Sequence, residues 1–161
     1  MSMSDRQRLA DLKELLDLLY EKLGEFQIEL IVNANTPAKF ELKQRIKREI
    51  LPSIRQYEVE YWNIYPKEAI VISDEEATTQ LVHLEQAVES IERVSSSEYP
   101  AQLIPLLQDI RTKLNDLDKT ASAKLKVTLP LIPAIASYEL EMDTEGLMYR
   151  TWKAIQRLVR Q

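Results

Sequence analysis

The chain has no cysteine. Disulfides, thiol nucleophiles and cysteine-based zinc sites are therefore excluded. Only two glycines occur in 161 residues, Gly24 and Gly146. Rossmann and P-loop phosphate sites gather several glycines in one turn, so neither is present. Scarce glycine also favours long helices over turn-rich sheets. Histidine is limited to His83. No apolar run approaches the roughly 18 residues of a membrane-spanning helix. The first residues, Met1-Ser2-Met3-Ser4-Asp5, lack the basic-then-apolar order of a secretory signal, and a cytoplasmic setting is expected.

Hydrophobic residues make up 45% and charged residues 29%, as in folded globular chains. The length suits a single domain, residues 1–161, with one core. The net charge of −5 is unevenly spread. Residues 66–123 carry 5 basic and 11 acidic side chains, whereas residues 124–161 carry 6 and 4. The acidic middle argues against a nucleic-acid partner.

The strongest pattern lies at the start. Leu9, Leu12, Leu16, Leu19, Leu23, Phe26 and Leu30 are spaced alternately 3 and 4 apart. This is the a/d seam of a helix that packs lengthwise on another helix. The spacing predicts a helix from Ser4, as cap, to about Val32. A second helix is predicted to start with Thr36 as cap and Pro37 as first residue, and to end near Tyr65-Pro66. Its expected buried face is Phe40, Ile46, Ile50, Ile54, Tyr57 and Tyr61. Pro52 should kink it near Ile50 and Leu51. A short link between two helices of similar length implies an antiparallel hairpin over residues 1–65.

Ser73-Asp74-Glu75-Glu76 is a capping-box signature for a third helix with the stripe Ala77, Leu81, Leu84, Val88, Ile91. After the loop Ser95-Ser96-Ser97, a fourth carries Leu103, Leu107, Ile110, Leu114 and Leu117, with its start left open between Ala101 and Pro105. Together, residues 73–121 form a second helical pair and complete a four-helix bundle. The period then changes. Lys124 to Leu129 and Tyr138 to Asp143 alternate apolar and charged residues, which is strand spacing. Pairing Lys126 with Glu139 and Lys124 with Glu141 makes both faces agree, so a β-hairpin is expected over residues 124–143. A last helix spans 144–161, with Met148, Tyr149, Trp152, Ile155 and Val159 on one side. The expected fold is thus mainly α: a four-helix bundle with a long N-terminal helical hairpin, then a short β-hairpin and a C-terminal helix.

Candidate chemistry is sparse. A di-metal bundle site needs Glu-x-x-His on two helices, but Gln80 stands three before His83 and no second histidine exists. Lys39, Lys43, Arg45, Lys47 and Arg48 could touch phosphates, yet Glu41 and Glu49 interleave them, as on a solvated helix face. Glu139 and Glu141 could act as acid and base, but opposing lysines explain them more simply. No cofactor, metal or small-molecule substrate is expected. Two surfaces stand out instead. The aromatic cluster Tyr57, Tyr61, Trp62 and Tyr65 could anchor a partner or cap the core. The hairpin tip, with Leu131, Ile132, Ile135 and Tyr138, lies beside Trp152 and the cations Arg150, Lys153, Arg157 and Arg160. It could dock on a protein, lie on an anionic membrane or pack on its own bundle.

The segment Thr36-Pro37-Ala38-Lys39-Phe40-Glu41-Leu42-Lys43-Gln44-Arg45-Ile46, after a leucine-rich helix, resembles the helical effector-associated adaptor regions of bacterial STAND-type signalling ATPases and their caspase-like or TIR companions. Leu129-Pro130-Leu131-Ile132-Pro133 and Ser137-Tyr138-Glu139-Leu140-Glu141, followed by Trp152, are similar to the hairpin and helix that close such regions. The resemblance covers about half the chain. It implies a non-catalytic adaptor that binds a protein partner or itself in bacterial signalling or defence, with no catalytic residues. Peripheral membrane association through the hairpin tip and basic tail is the alternative, and a small helical-bundle enzyme or metal protein the third.

Overall fold

A computed structural model describes residues 2–94, 96–142 and 144–159. Ser95 of the expected loop, Asp143 of the expected second strand and Arg160 of the basic tail lie outside the described residues. The fold is mainly helical, and no strand occurs among the described residues. None of their helices is long and apolar enough to cross a membrane. The chain divides at Tyr65 and Pro66 into two compact units.

Unit 1 is an antiparallel helical hairpin. Helix α1 (Met3–Val32) is 30 residues, about 45 Å at 1.5 Å per residue. Its cap is Ser2, not Ser4: Ser2 Oγ accepts from the Asp5 amide at 3.0 Å. The return limb is α2 (Thr36–Arg45), a π-helical turn (Ile46–Ile50) and α3 (Leu51–Ile64). Asn35 takes the capping role expected of Thr36, accepting from the Ala38 amide at 3.1 Å. Leu9, Leu12, Leu16 and Leu23 of the seam are buried, while Leu19, Phe26 and Leu30 are half-buried. Opposite them lie Leu42, Ile46, Ile50, Leu51, Ile54 and Tyr61. Phe40, expected on this face, is 63% exposed. It falls in the first turn and a half of α2, beyond the seam's last fully buried leucine, Leu23.

The π turn is the local answer to Pro52. Proline cannot donate a helical hydrogen bond, and its ring crowds the carbonyl four residues back. The Leu51 amide bonds Ile46 O, five residues back, which widens the turn ahead of the ring. Ser53 Oγ donates to Glu49 O at 2.8 Å and occupies another carbonyl there.

Unit 2 contains α4 (Asp74–Glu92), α5 (Leu103–Leu114), α6 (Ala121–Thr128), α7 (Ile132–Glu139) and α8 (Leu147–Val159). The capping box is formed: the Glu76 amide donates to Ser73 Oγ at 3.1 Å, and the Ser73 amide to Glu76 Oε1 at 3.3 Å. Helix α4 packs on α5, α6 and α8, and α7 packs on α5 and α8. The Ser122 amide donates to Asp74 Oδ1 at 2.9 Å, tying the start of α6 to the start of α4. Leu117, expected to extend the α5 stripe, is 92% exposed because α5 ends at Leu114.

The β-hairpin is replaced by α6 and α7. Thr120 caps α6 through the Ala123 amide at 3.2 Å, and Pro133 sits in the first turn of α7. Every residue of α7 except Tyr138 is buried. A strand pair needs neighbours for its outer backbone groups, whereas a helix satisfies its own, so burial on all sides selects helix. The alternation of Lys124 to Leu129 is a helical stripe read over too few turns: Leu125, Thr128 and Leu129 are its buried members.

Leu16→Ala is expected to destabilise the chain by about 2–5 kcal/mol, since the side chain is fully enclosed. Leu18→Ala, on the exposed side of the same helix, should stay within about 0.5 kcal/mol at concentrations where the chain is monomeric. Urea unfolding of both variants measures the contrast.

Candidate functional site

The polar features of unit 1 are built across the hairpin. Arg8 of α1 and Glu60 of α3 form a two-pronged ion pair near the open end. The guanidinium's hydrogen bonds hold the Glu60 carboxyl below the usual carboxylate range. Deeper in, Glu58 is fully buried and accepts from Tyr20 Oη at 2.7 Å. Its position follows from spacing: Ile54, Glu58 and Tyr61 recur at helical intervals on the seam side of α3. Toward the other end, Arg45 lies 4.9 Å and Lys22 Nζ 5.8 Å from the Phe26 ring centre. This stacking covers a half-buried seam ring with cations.

The predicted aromatic anchors pack on one another. Tyr61 and Trp62 meet edge-on at 5.0 Å, and Tyr61 stacks on Tyr65 at 5.5 Å. Tyr61 and Trp62 are buried and Tyr57 is half-buried. The second predicted surface is also interior. Ile132, Ile135 and Trp152 have no exposed area, and Leu131 and Tyr138 are half-buried. These residues form the core around α7 and α8, because the apolar segment taken for a hairpin tip is the buried helix itself.

Glu139 is buried and bonds backbone amides, not the lysines expected opposite it. Helix α8 follows Gly146, whose φ of +71° lies in the left-handed region that glycine tolerates. Nothing within 4 Å would meet an added Cβ there, so the constraint is the backbone, not space. Gly146 O receives the Arg150 amide at 3.0 Å, which places Gly146 at the cap. A glycine cap has no side-chain oxygen for the next free amides. Glu139, at the end of α7, supplies two: Oε2 accepts from the Met148 amide and Oε1 from the Tyr149 amide, both at 3.0 Å. Burial pushes the carboxyl pKa up, and the two amides with nearby Arg150 pull it only partly back.

Two shallow grooves lie in unit 2. One, about 390 Å³, is lined by Glu92, Tyr99, Ile104, Leu107 and Arg111 among others. Arg111 pairs with Glu92 across it, so the groove presents a neutralised pair to a ligand. The other, about 220 Å³, runs between α4 and α8 past His83, Gln86 and Arg150. His83 is exposed there. Among the described residues, no group of three or more histidine or carboxylate side chains is placed to hold a metal ion.

The apolar side chains that reach water are elsewhere. Of twelve large exposed hydrophobics among the described residues, eight lie in unit 1: Met3, Leu15, Leu18, Ile28, Ile31, Val32, Phe40 and Val59. On α1 the heptad spacing does not mark them, since it picks out only the residues that face the return limb.

The raised pKa of Glu139 carries a definite sign. Between the unfolded carboxylate value, about 4.3, and the higher folded value, the folded chain holds more protons than the unfolded one. This group's contribution is therefore greatest below the unfolded pKa and declines as pH rises toward the folded one. The stability advantage of wild type over Glu139→Gln should narrow across that window in denaturant titrations; an advantage that widens with pH contradicts the assignment. Glu139→Ala, which strips both amides, should cost about 1–2 kcal/mol at least.

No protein-family model matches the chain, and neither a curated protein nor a solved structure does.

Proposed function

We propose that the chain is a non-catalytic protein–protein interaction module that associates with a second copy of itself or a partner through unit 1. The observation that carries this reading is an exposed leucine pair on α1, off the seam. One side of the helix is spent on the seam. Along another run Asp11, Leu15, Leu18 and Lys22, spaced 4, 3 and 4. Leu15 is 37% and Leu18 59% exposed. An exposed leucine pair flanked along the helix by opposite charges suits packing against a further helix.

The resemblance to effector-associated adaptor regions supports the same class of activity and implies a setting in bacterial signalling or defence. Ile132, Ile135 and Trp152 are buried, so this reading rests on the exposed apolar residues of the first hairpin.

Sedimentation equilibrium across a broad concentration range tests self-association. Wild type should show a reversible monomer–dimer equilibrium. The double variant Leu15→Glu with Leu18→Glu should remain monomeric with an unchanged circular dichroism spectrum. A wild-type mass of one chain throughout removes the self-association reading.

A further inference from the structure

The closed end of the unit 1 hairpin carries exposed apolar side chains on both limbs, on either side of the polar link Asn33-Ala34-Asn35-Thr36. In the last turn of α1, Ile28, Ile31 and Val32 are exposed and Leu30 half-buried. Ile31 is 81% exposed, and with Ile28, Val32 and Phe40 it forms a cluster rather than a lone surface residue. The link is short and ordered by its own bonds. The Asn33 amide donates to Glu29 O at 2.9 Å, the Asn35 amide to Asn33 Oδ1 at 2.8 Å, and the Ala38 amide to Asn35 Oδ1 at 3.1 Å. Pro37 and Phe40, both exposed, carry the apolar surface onto α2. The tip is an ordered polar turn flanked by exposed apolar side chains.

Charge is arranged behind it. Residues 28–48 hold five cations, Lys39, Lys43, Arg45, Lys47 and Arg48, against two carboxylates, Glu29 and Glu41, in a chain of net charge −5. Lys39, Lys43 and Lys47 recur every fourth residue, and Phe40 lies beside them. Lys43 and Lys47 are exposed and make no ion pair among the described residues, whereas Arg45 pairs with Glu49 at 3.7 Å. At 1.5 Å per residue, Lys43 and Lys47 stand about 5 and 10 Å behind Phe40 along the limb.

We propose that this tip inserts into the surface of an anionic lipid bilayer, with Ile31, Val32 and Phe40 in the acyl boundary and Lys43 and Lys47 at the headgroups. Interfacial elements bury apolar groups about 5–10 Å deep, and each nearby cation adds attraction to anionic lipid. That depth matches the lysine offsets. Nucleic acid has no use for an isoleucine–valine–phenylalanine cluster, and a bilayer uses both parts. The surface is separate from the Leu15–Leu18 pair and stands or falls independently of it.

Flotation of the full chain with two vesicle compositions decides the matter: phosphatidylcholine alone, and a phosphatidylcholine–phosphatidylserine mixture. Wild type should float with the mixed vesicles at low salt, be released as salt rises, and stay behind with phosphatidylcholine alone. Ile31→Asp with Phe40→Asp should abolish flotation. Lys43→Glu with Lys47→Glu should weaken it by about tenfold or more. Leu15→Glu with Leu18→Glu should float normally. All the substituted side chains are solvent-exposed, and circular dichroism confirms folding. Absence of flotation by folded wild type overturns the proposal, as does equal binding to both compositions. A self-association lost in Ile31→Asp, without vesicle binding, reassigns the tip to a contact between copies and likewise overturns it.

Discussion

Leu12, Leu16 and Leu23 are wholly withdrawn from water along one edge of a 30-residue helix, and unit 1 exists only while a second limb covers them. Each buried leucine contributes about 1.5–3 kcal/mol. The covering limb contains Pro52, which in a regular α-helix would open a kink and turn the apolar residues on its two sides away from each other. The π turn absorbs the conflict by adding one residue to a single turn. Ile46, Ile50, Leu51 and Ile54 therefore all remain on the covered side. The seam depends on this local irregularity as much as on the leucines.

The two units treat buried carboxylates alike in one respect: neither is left to water. Glu58 in unit 1 meets a tyrosine hydroxyl from the opposing limb, and Glu139 in unit 2 meets the free amides of a neighbouring helix. A carboxylate enclosed without such partners would cost several kcal/mol. Both residues join segments distant in sequence and help to fix which segments pack together. Reaction chemistry is not needed to explain either.

The leucine seam and the Ser73 cap were readable because each is local and repeats a known geometry: a heptad over seven positions, and a serine with a glutamate three residues later. The region around Pro130 was not. Its two short helices span about two turns each, and over so short a window a stripe such as Leu125, Thr128, Leu129 mimics alternation. The tie that resolves the ambiguity is nonlocal: α7 is enclosed by other helices, and no pattern in its own residues reports that. The same limit applied to the candidate surface. Ile132, Ile135 and Trp152 are apolar in a segment that looked like a loop, and apolarity alone does not separate an anchor on the outside from a core residue. Conversely, Phe40, expected with the core face, stands two residues from buried Leu42, about 200° round the helix, and so faces water.

Glu139 closes the first turn of α8 from the last turn of α7, since Gly146 has no side chain to do so. The two helices are thereby coupled. Unravelling the end of α7 strips α8 of the acceptors for its second and third amides, and fraying of α8 leaves an enclosed carboxylate without donors. Neither loss is small, so α7 and α8 open to solvent as one cooperative segment, and amide hydrogen exchange at Met148 and Tyr149 reports on a helix to which neither residue belongs.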